Sequence, residues 1–286
     1  MVLRIFFVCL FFSAPVSVLI AAPTADLILT NARIYTADTK APWATAIAIT
    51  GEHILAVGSS AEIDPMRDAD TLMIDLEGAF ASPGFNDGHV HIDSTGQLIT
   101  GVNLLDIHDP VGFVERIRGA AERLPEGSWI IRGSWGAYEQ WEVSSSGTEP
   151  RENQPKGPFT PDRRLIDPIT PEHPVLISRF DRSMYLANTR ALELAGITAN
   201  TPEPRDGRIE KDADGRLTGI LRGGAVALVE QIIPPISFEQ RLVQVRAVLK
   251  EARESGVTTM QDLTNAAQLR AYQALKERGE LTARIM

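Results

Sequence analysis

The chain holds a single cysteine in 286 residues, Cys9, and it lies in a leader-like stretch at the start. Beyond residue 22 there is no thiol, so no disulfide braces the fold and no thiolate binds a metal. Any metal must be held by histidine and carboxylate, and stability must come from packing. Basic charge is also scarce: 28 Lys and Arg face 37 Asp and Glu, a formal net charge of −9, with a sequence pI near 5.1. Nucleic acid and anionic membrane surfaces reward the opposite sign, so neither is expected as a partner and a small molecule is. There is no Walker loop, dinucleotide-binding glycine pattern or Gly-x-Ser-x-Gly elbow, so nucleotide and serine-hydrolase chemistry have no support. The apolar run from Ile5 to Ile20 is 16 residues with Pro15 inside it, short of the roughly 20 that span a bilayer.

That run is instead the centre of an expected secretory signal peptide over residues 1–22. Arg4 gives a short positive start, Ile5 to Phe12 the apolar core, and Ile20-Ala21-Ala22 a small-residue end suited to cleavage. The mature protein is then exported, periplasmic or extracellular, and free of the membrane. Loss of Arg4 takes its charge from −9 to −10.

With 44% hydrophobic and 23% charged residues, the remainder has ordinary globular composition. From Asp26 to Leu76 short alternating runs read as strands: Leu27-Ile28-Leu29, Ala32 to Thr36, Ala46 to Ile49, His53 to Val57 and Thr71 to Ile74. Gly51-Glu52 stands between two of them at hairpin spacing. This gives a small β-domain over 23–80, with too little core to be comfortable alone. Over 81–286 helices and strands alternate. Asp109-Pro110 opens a helix with Phe113, Ile117, Ala120 and Leu124 on one face. Trp129 to Gly133 and Val175 to Ser178 read as strands around an irregular insertion at 142–172, and Ala191 to Ala195 as a short helix stopped by Gly196. Asp212 to Gly215 lacks the rest of a calcium loop and is a hairpin turn. Ser237 with Gln240 caps a helix of Phe238, Leu242, Val245, Leu249 and Ala252, which Gly256 stops. Val257 to Met260 is a strand, Asn265 with Gln268 opens a helix through Arg278, and Ala283 starts another strand. A strand fed by a complete helix expects a further element over it, so the sequence is expected to continue past Met286.

The chemistry concentrates in Ser82-Pro83-Gly84-Phe85-Asn86-Asp87-Gly88-His89-Val90-His91-Ile92-Asp93. Alternate residues of a strand share a face, so His89 and His91 would point the same way. Two neutral imidazoles can supply half of a metal's first shell. The competing reading is two surface or core histidines without a ligand; the Pro-Gly turn, Phe85 and the flanking Asp87 and Asp93 weigh against it.

A β-rich start, then Pro83 to His91, then βα units resembles the metal-dependent amidohydrolase superfamily. Trp129 to Trp141, Pro174-Val175, Arg179-Phe180-Asp181, Leu186 to Leu192, Gly196-Ile197, Asp214 to Leu221 and Gly256 to Thr259 resemble its amidohydrolase 3, or YtcJ-like, branch. The resemblance implies an α/β fold, the first part of a TIM-type (β/α)8 barrel with a small N-terminal β-sandwich. It implies one or two divalent ions, zinc foremost, with His89 and His91 as strand ligands, and hydrolysis of non-peptide carbon–nitrogen bonds in amides, cyclic amides or N-acyl compounds by metal-activated water. Asp87, Asp181 and Asp262 are candidates beside the metal or the substrate, while the general-base Asp is expected beyond residue 286, leaving this chain alone inactive. His53, His108 and His173 are minor candidates. The sequence departs from the family where a His is usual and Ser183 stands, and where an acidic residue is usual near Gly223 or Gly224. Those departures motivate the alternative of a non-catalytic, small-ligand-binding relative. A third reading is a short product that folds on another chain, and homo-oligomers are left open.

Overall fold

The computed structural model describes residues 23–138 and 159–286. The expected leader and the part of the insertion over 142–158 lie outside the described residues, as does Trp141. Contacts divide the chain into two units, Met1–Gly84 and Phe85–Met286.

In the first unit the strands fall where the alternation places them. Leu27–Thr30 runs antiparallel to Ala46–Thr50 and parallel to Leu72–Asp75, and Ala46–Thr50 pairs with His53–Gly58. Thr50 faces His53 across the predicted hairpin, and Gly51 takes φ 56°, which costs glycine little. Arg33–Tyr35 joins Trp43–Ala44 and Phe80–Ala81 in a second sheet. The core is small, built on Ala25, Ile28, Ala46, Ala48 and Ile63. Ile63 comes from a helical turn, Ser60–Ile63, absent from the sequence reading although Ser59 and Glu62 cap it reciprocally.

In the second unit Phe85–Val90, Val257–Asp262 and Arg284–Ile285 form a parallel sheet with Val257–Asp262 at its centre. A separate sheet places Val102–Asn103, Ile130–Trp135 and Val175–Arg179 side by side and parallel. It then continues antiparallel through Tyr185–Ala187, Leu217–Gly223 and Gly207–Lys211. The expected βα alternation is therefore interrupted. Only residues 180–184 separate Val175–Arg179 from Tyr185–Ala187, and a parallel return needs a crossover of a dozen or more residues. The Asp212 turn joins antiparallel strands, with Lys211 opposite Leu217, as its sequence requires.

The long helices obey their caps. Asp109 accepts from the N–H groups of Val111 and Gly112, and Pro110–Arg123 buries Phe113, Ile117 and Ala120. Ser237 and Gln240 close a capping box on Phe238–Glu254, which buries Leu242, Val245, Val248, Leu249 and Ala252. Phe238, taken as part of that apolar face, is exposed instead. Asn265 and Gln268 cap Ala266–Glu277 in the same way. One core gathers Phe113, Trp135, Ile117, Ile177 and Leu186, with Trp135 edge-on to Phe113 at 5.9 Å between ring centroids. A second packs Leu242, Leu249, Met260, Tyr272 and Leu275.

Candidate metal centre

The histidine pair forms, but not on one strand. His89 lies in Phe85–Val90, whereas His91 is the N-cap of a helix, Ile92–Thr100, that the sequence reading missed. The reason is physical. His91 makes no side-chain cap, and Asp-Ser-Thr-Gly is a weak helix start. The cap comes from across the sheet, where Asp262 Oδ1 accepts the Ile92 N–H at 2.9 Å. Asp262 can reach it because it pairs with Val90 in the neighbouring strand. The chain turns at His91, φ −117° and ψ 80°, and the two Nε2 atoms stand 3.2 Å apart. Zinc–imidazole bonds of about 2.0–2.1 Å at a tetrahedral angle put two ligand nitrogens roughly 3.3–3.4 Å apart, so the pair fits two vertices of such a site. Both rings are exposed and accessible to an ion.

The acidic candidates divide. Asp87 Oδ1 accepts the His89 N–H at 3.1 Å, so it secures the strand end under the rings. Asp262 is fully engaged: besides Ile92, its Oδ2 accepts from Thr264 Oγ1 at 2.7 Å and Tyr272 Oη at 2.6 Å. Asp262 thus caps Ile92–Thr100, and not the helix that follows it in sequence. Asp181 is not brought into contact with the histidines. It closes the turn before Tyr185–Ala187, accepting from the Ser183 N–H at 3.0 Å and the Ser183 hydroxyl at 2.7 Å. Partial burial pushes its carboxyl up, but these bonds and the Arg179 guanidinium outweigh it and hold it below the ordinary aspartate value. Ser183, where the resemblance expects histidine, is thus a turn residue here. His173 is buried with Nδ1 at 2.9 Å from Ser128 O, and His108 Nδ1 is 3.2 Å from Asp106 O. His53 lies in a strand of the first unit. Among the described residues no group of three or more His, Cys, Asp or Glu could hold a metal, so the candidate there is limited to the His89–His91 pair.

Tyr272 is nearly enclosed, and burial, then its bond to Asp262, pushes its phenol far above the usual value. A raised folded value means that the unfolded phenol ionises first, near pH ~10. Stability is full below that pH and falls as the pH rises. Tyr272→Phe should cost about 1 kcal/mol at neutral pH and flatten the alkaline fall, read from urea unfolding at pH 8 and 10.5. An unchanged alkaline slope in the variant would contradict this.

Sequence reasoning also missed a cavity of about 440 Å³, lined by Asp93, Gln97, Arg132, Ser134, Tyr185 and Glu230 among others. Asp93 and Gln97 belong to the helix that starts after His91, so the cavity adjoins that strand end. Arg241 donates to Asp93, Gln97 Nε2 donates to Asp93 at 3.2 Å, and Arg132 Nε donates to Gln97 Oε1. Arg132, Gly133 and Ser134 take φ 70°, 75° and 58°, curling the end of Ile130–Trp135 into a left-handed turn. For Arg and Ser that costs roughly 1–2 kcal/mol each, and it persists only where the surroundings enforce it. Burial and Glu230 raise the Tyr185 phenol against the lowering effect of Arg182 and Arg132. No motif signals this cavity, because its lining comes from five separate segments.

Gly223 and Gly224 have a steric cause. A Cβ on Gly223, at φ 55°, would meet Asp206 O, and one on Gly224 would meet Asp206 Oδ1.

With this geometry in hand, three likenesses bear on the chain. It is 34% identical over 243 residues to Protein LONG AFTER FAR-RED 3 of Arabidopsis thaliana, covering 85% of this chain and 39% of that one. It is 29% identical over 208 residues to N-substituted formamide deformylase of Arthrobacter pascens, covering 71% and 35%. The crystal structure of an uncharacterized metal-dependent hydrolase from Pyrococcus horikoshii OT3 aligns at TM-score 0.62 and 20% identity, over 91% of this chain and 47% of that one, which shows a shared fold. The chain spans well under half the length of these two curated relatives. The amidohydrolase family model matches residues 72–286, most of the sequence, and the chain therefore belongs to the amidohydrolase family, in the amidohydrolase 3 branch anticipated from its motifs.

Proposed function

We propose that the protein is a metal-dependent hydrolase of non-peptide carbon–nitrogen bonds acting on a small amide or N-acyl compound. The observation that carries this is the His89–His91 pair, with Nε2 atoms at 3.2 Å, at the carboxyl end of a parallel strand. Arg132, Ser178 and Asp262 lie towards the same ends of their own parallel strands. In (β/α)8 barrels chemistry is done at that face, which supports reading the second unit as the first part of such a barrel, while the two sheets of the first unit support reading it as part of a β-sandwich. The relative named N-substituted formamide deformylase supports the bond class.

His89 and His91 would hold a divalent ion, zinc for choice; bound there, it lowers the pKa of water towards neutrality and polarises a carbonyl. Asp262 fixes where the helix after His91 begins, and Asp87 fixes the backbone of His89, so both orient the imidazoles. Tyr272 and Thr264 in turn hold the Asp262 carboxylate. Two ligands fall short of a tetrahedral set, so further ligands and the general base come from outside the described residues. The described chain alone binds metal without turning over substrate. We place the mature protein outside the cytoplasm, after cleavage of residues 1–22. A non-catalytic ligand-binding role is the second reading, favoured by Ser183 serving a turn.

Zinc titration of the 286-residue chain, followed by dialysis against a chelator, tests the first reading. Zinc should be taken up, about one ion per chain, and then stripped. A chain that takes up neither zinc, cobalt nor manganese overturns it.

A further inference from the structure

We propose that the cavity adjoining the histidine strand end is a carboxylate-binding subsite, so that the substrate is an amide that also carries a carboxylate. This rests on reading that strand end as the reactive centre. Two cations converge on the cavity, Arg132 and Arg182. Arg132 commits Nε to Gln97, and no further partner of its guanidinium is present among the described residues. Arg182 is exposed and likewise has no side-chain partner among them. An arginine without an acid presents a planar fork of donors that matches a carboxylate in two parallel hydrogen bonds.

The acids of the lining do not cancel this charge. Asp93 is already neutralised by Arg241, leaving Glu230 alone against two guanidinium groups. Glu230 is suited to accept from the N–H of an amide, while the two arginines take its acid group. The Tyr185 phenol, kept protonated by burial and by Glu230, adds a neutral donor. Both arginines stand on left-handed backbone, φ 70° at Arg132 and 57° at Arg182. That conformation is uncommon for any residue but glycine, and here it accompanies both cations of the cavity. A volume of about 440 Å³ suits a small molecule rather than a peptide.

The test is calorimetric titration of the metal-free 286-residue chain, at pH 7 and fixed salt, with N-acetylglycine and with N-acetylglycinamide. The two differ only in the carboxylate. The acid should bind at least about tenfold tighter. Arg132→Gln and Arg182→Gln should each reduce acid binding about tenfold and leave amide binding unchanged, with thermal melts confirming that both variants fold. The wild-type comparison needs no variant at all. Equal binding of acid and amide overturns the proposal. So does an acid preference that survives in an Arg132→Gln/Arg182→Gln double variant, and so does inorganic phosphate binding as tightly as the acid. Zinc uptake measured on the same samples separates the two readings. An acid preference without zinc uptake supports the subsite and overturns the metal centre. Equal acid and amide binding with zinc uptake intact overturns the subsite alone.

Discussion

The His89→Ala/His91→Ala double variant will lose at least about 100-fold in zinc affinity while keeping its metal-free stability within about 0.5 kcal/mol. The first number follows from removing both ligand nitrogens, since losing even a group that merely orients a ligand typically costs 10–100-fold. The second follows from exposure: both rings stand at the surface, and among the described residues each ring's side-chain contact is with the other ring. Equilibrium dialysis with zinc and urea unfolding in chelator read the two quantities independently. Asp262→Ala gives the contrasting pattern. It leaves the ring nitrogens in place but frees Ile92 N–H and strands the buried Tyr272 hydroxyl, so stability falls by about 2–3 kcal/mol and zinc affinity falls less. Full zinc retention in the histidine double variant would remove the centre from this strand end.

Asn188→Ala will destabilise the second unit by about 3–5 kcal/mol, more than a typical cap. Asn188 is buried and every polar position on it is used. Its Oδ1 accepts from Val175 N and Ala191 N, both at 2.9 Å. Its Nδ2 donates to Thr170 Oγ1 at 2.9 Å and His173 O at 2.8 Å. One side chain therefore caps Thr189–Leu194, starts the strand Val175–Arg179 and ties down the loop before it. Truncation leaves several buried groups without partners at once. Asn188→Asp keeps the two acceptor bonds and loses the donors, so it should fall between wild type and alanine. Urea unfolding checks both, and an alanine variant within 1 kcal/mol of wild type would refute the network.

The same residue shows what was legible beforehand. Leu186 to Leu192 was read as a family motif, and its physical content is this scaffold network rather than chemistry. Elements with local signals were read closely, as at Asp109-Pro110, Ser237 with Gln240 and Asn265 with Gln268, because each cap lies within three residues of the helix it starts. The helix Ile92–Thr100 was invisible because its cap lies 170 residues away in sequence. His89 and His91 were found by a strand argument that holds only for the first of them, and the turn at His91 brings the rings together by another route. The cavity could not be read at all. Arg132, Arg182 and Glu230 become neighbours only through an antiparallel return and a distant short helix, and no spacing encodes that.

The crowding of Gly223 and Gly224 against Asp206 bears on the order in which substitutions could accumulate. The resemblance to this branch implies an acid near that position. In this chain a glutamate at 224 would place its Cβ against an existing carboxylate oxygen, so it would be penalised by volume and by like charge together. Replacing Asp206 first by a small neutral residue relieves both. A path from this sequence to one with the acid therefore costs less when Asp206 is replaced first than when it is kept and its side chain must swing aside. A combinatorial library over 206 and 224 should recover glutamate at 224 more often in chains that have lost Asp206 than in chains that keep it.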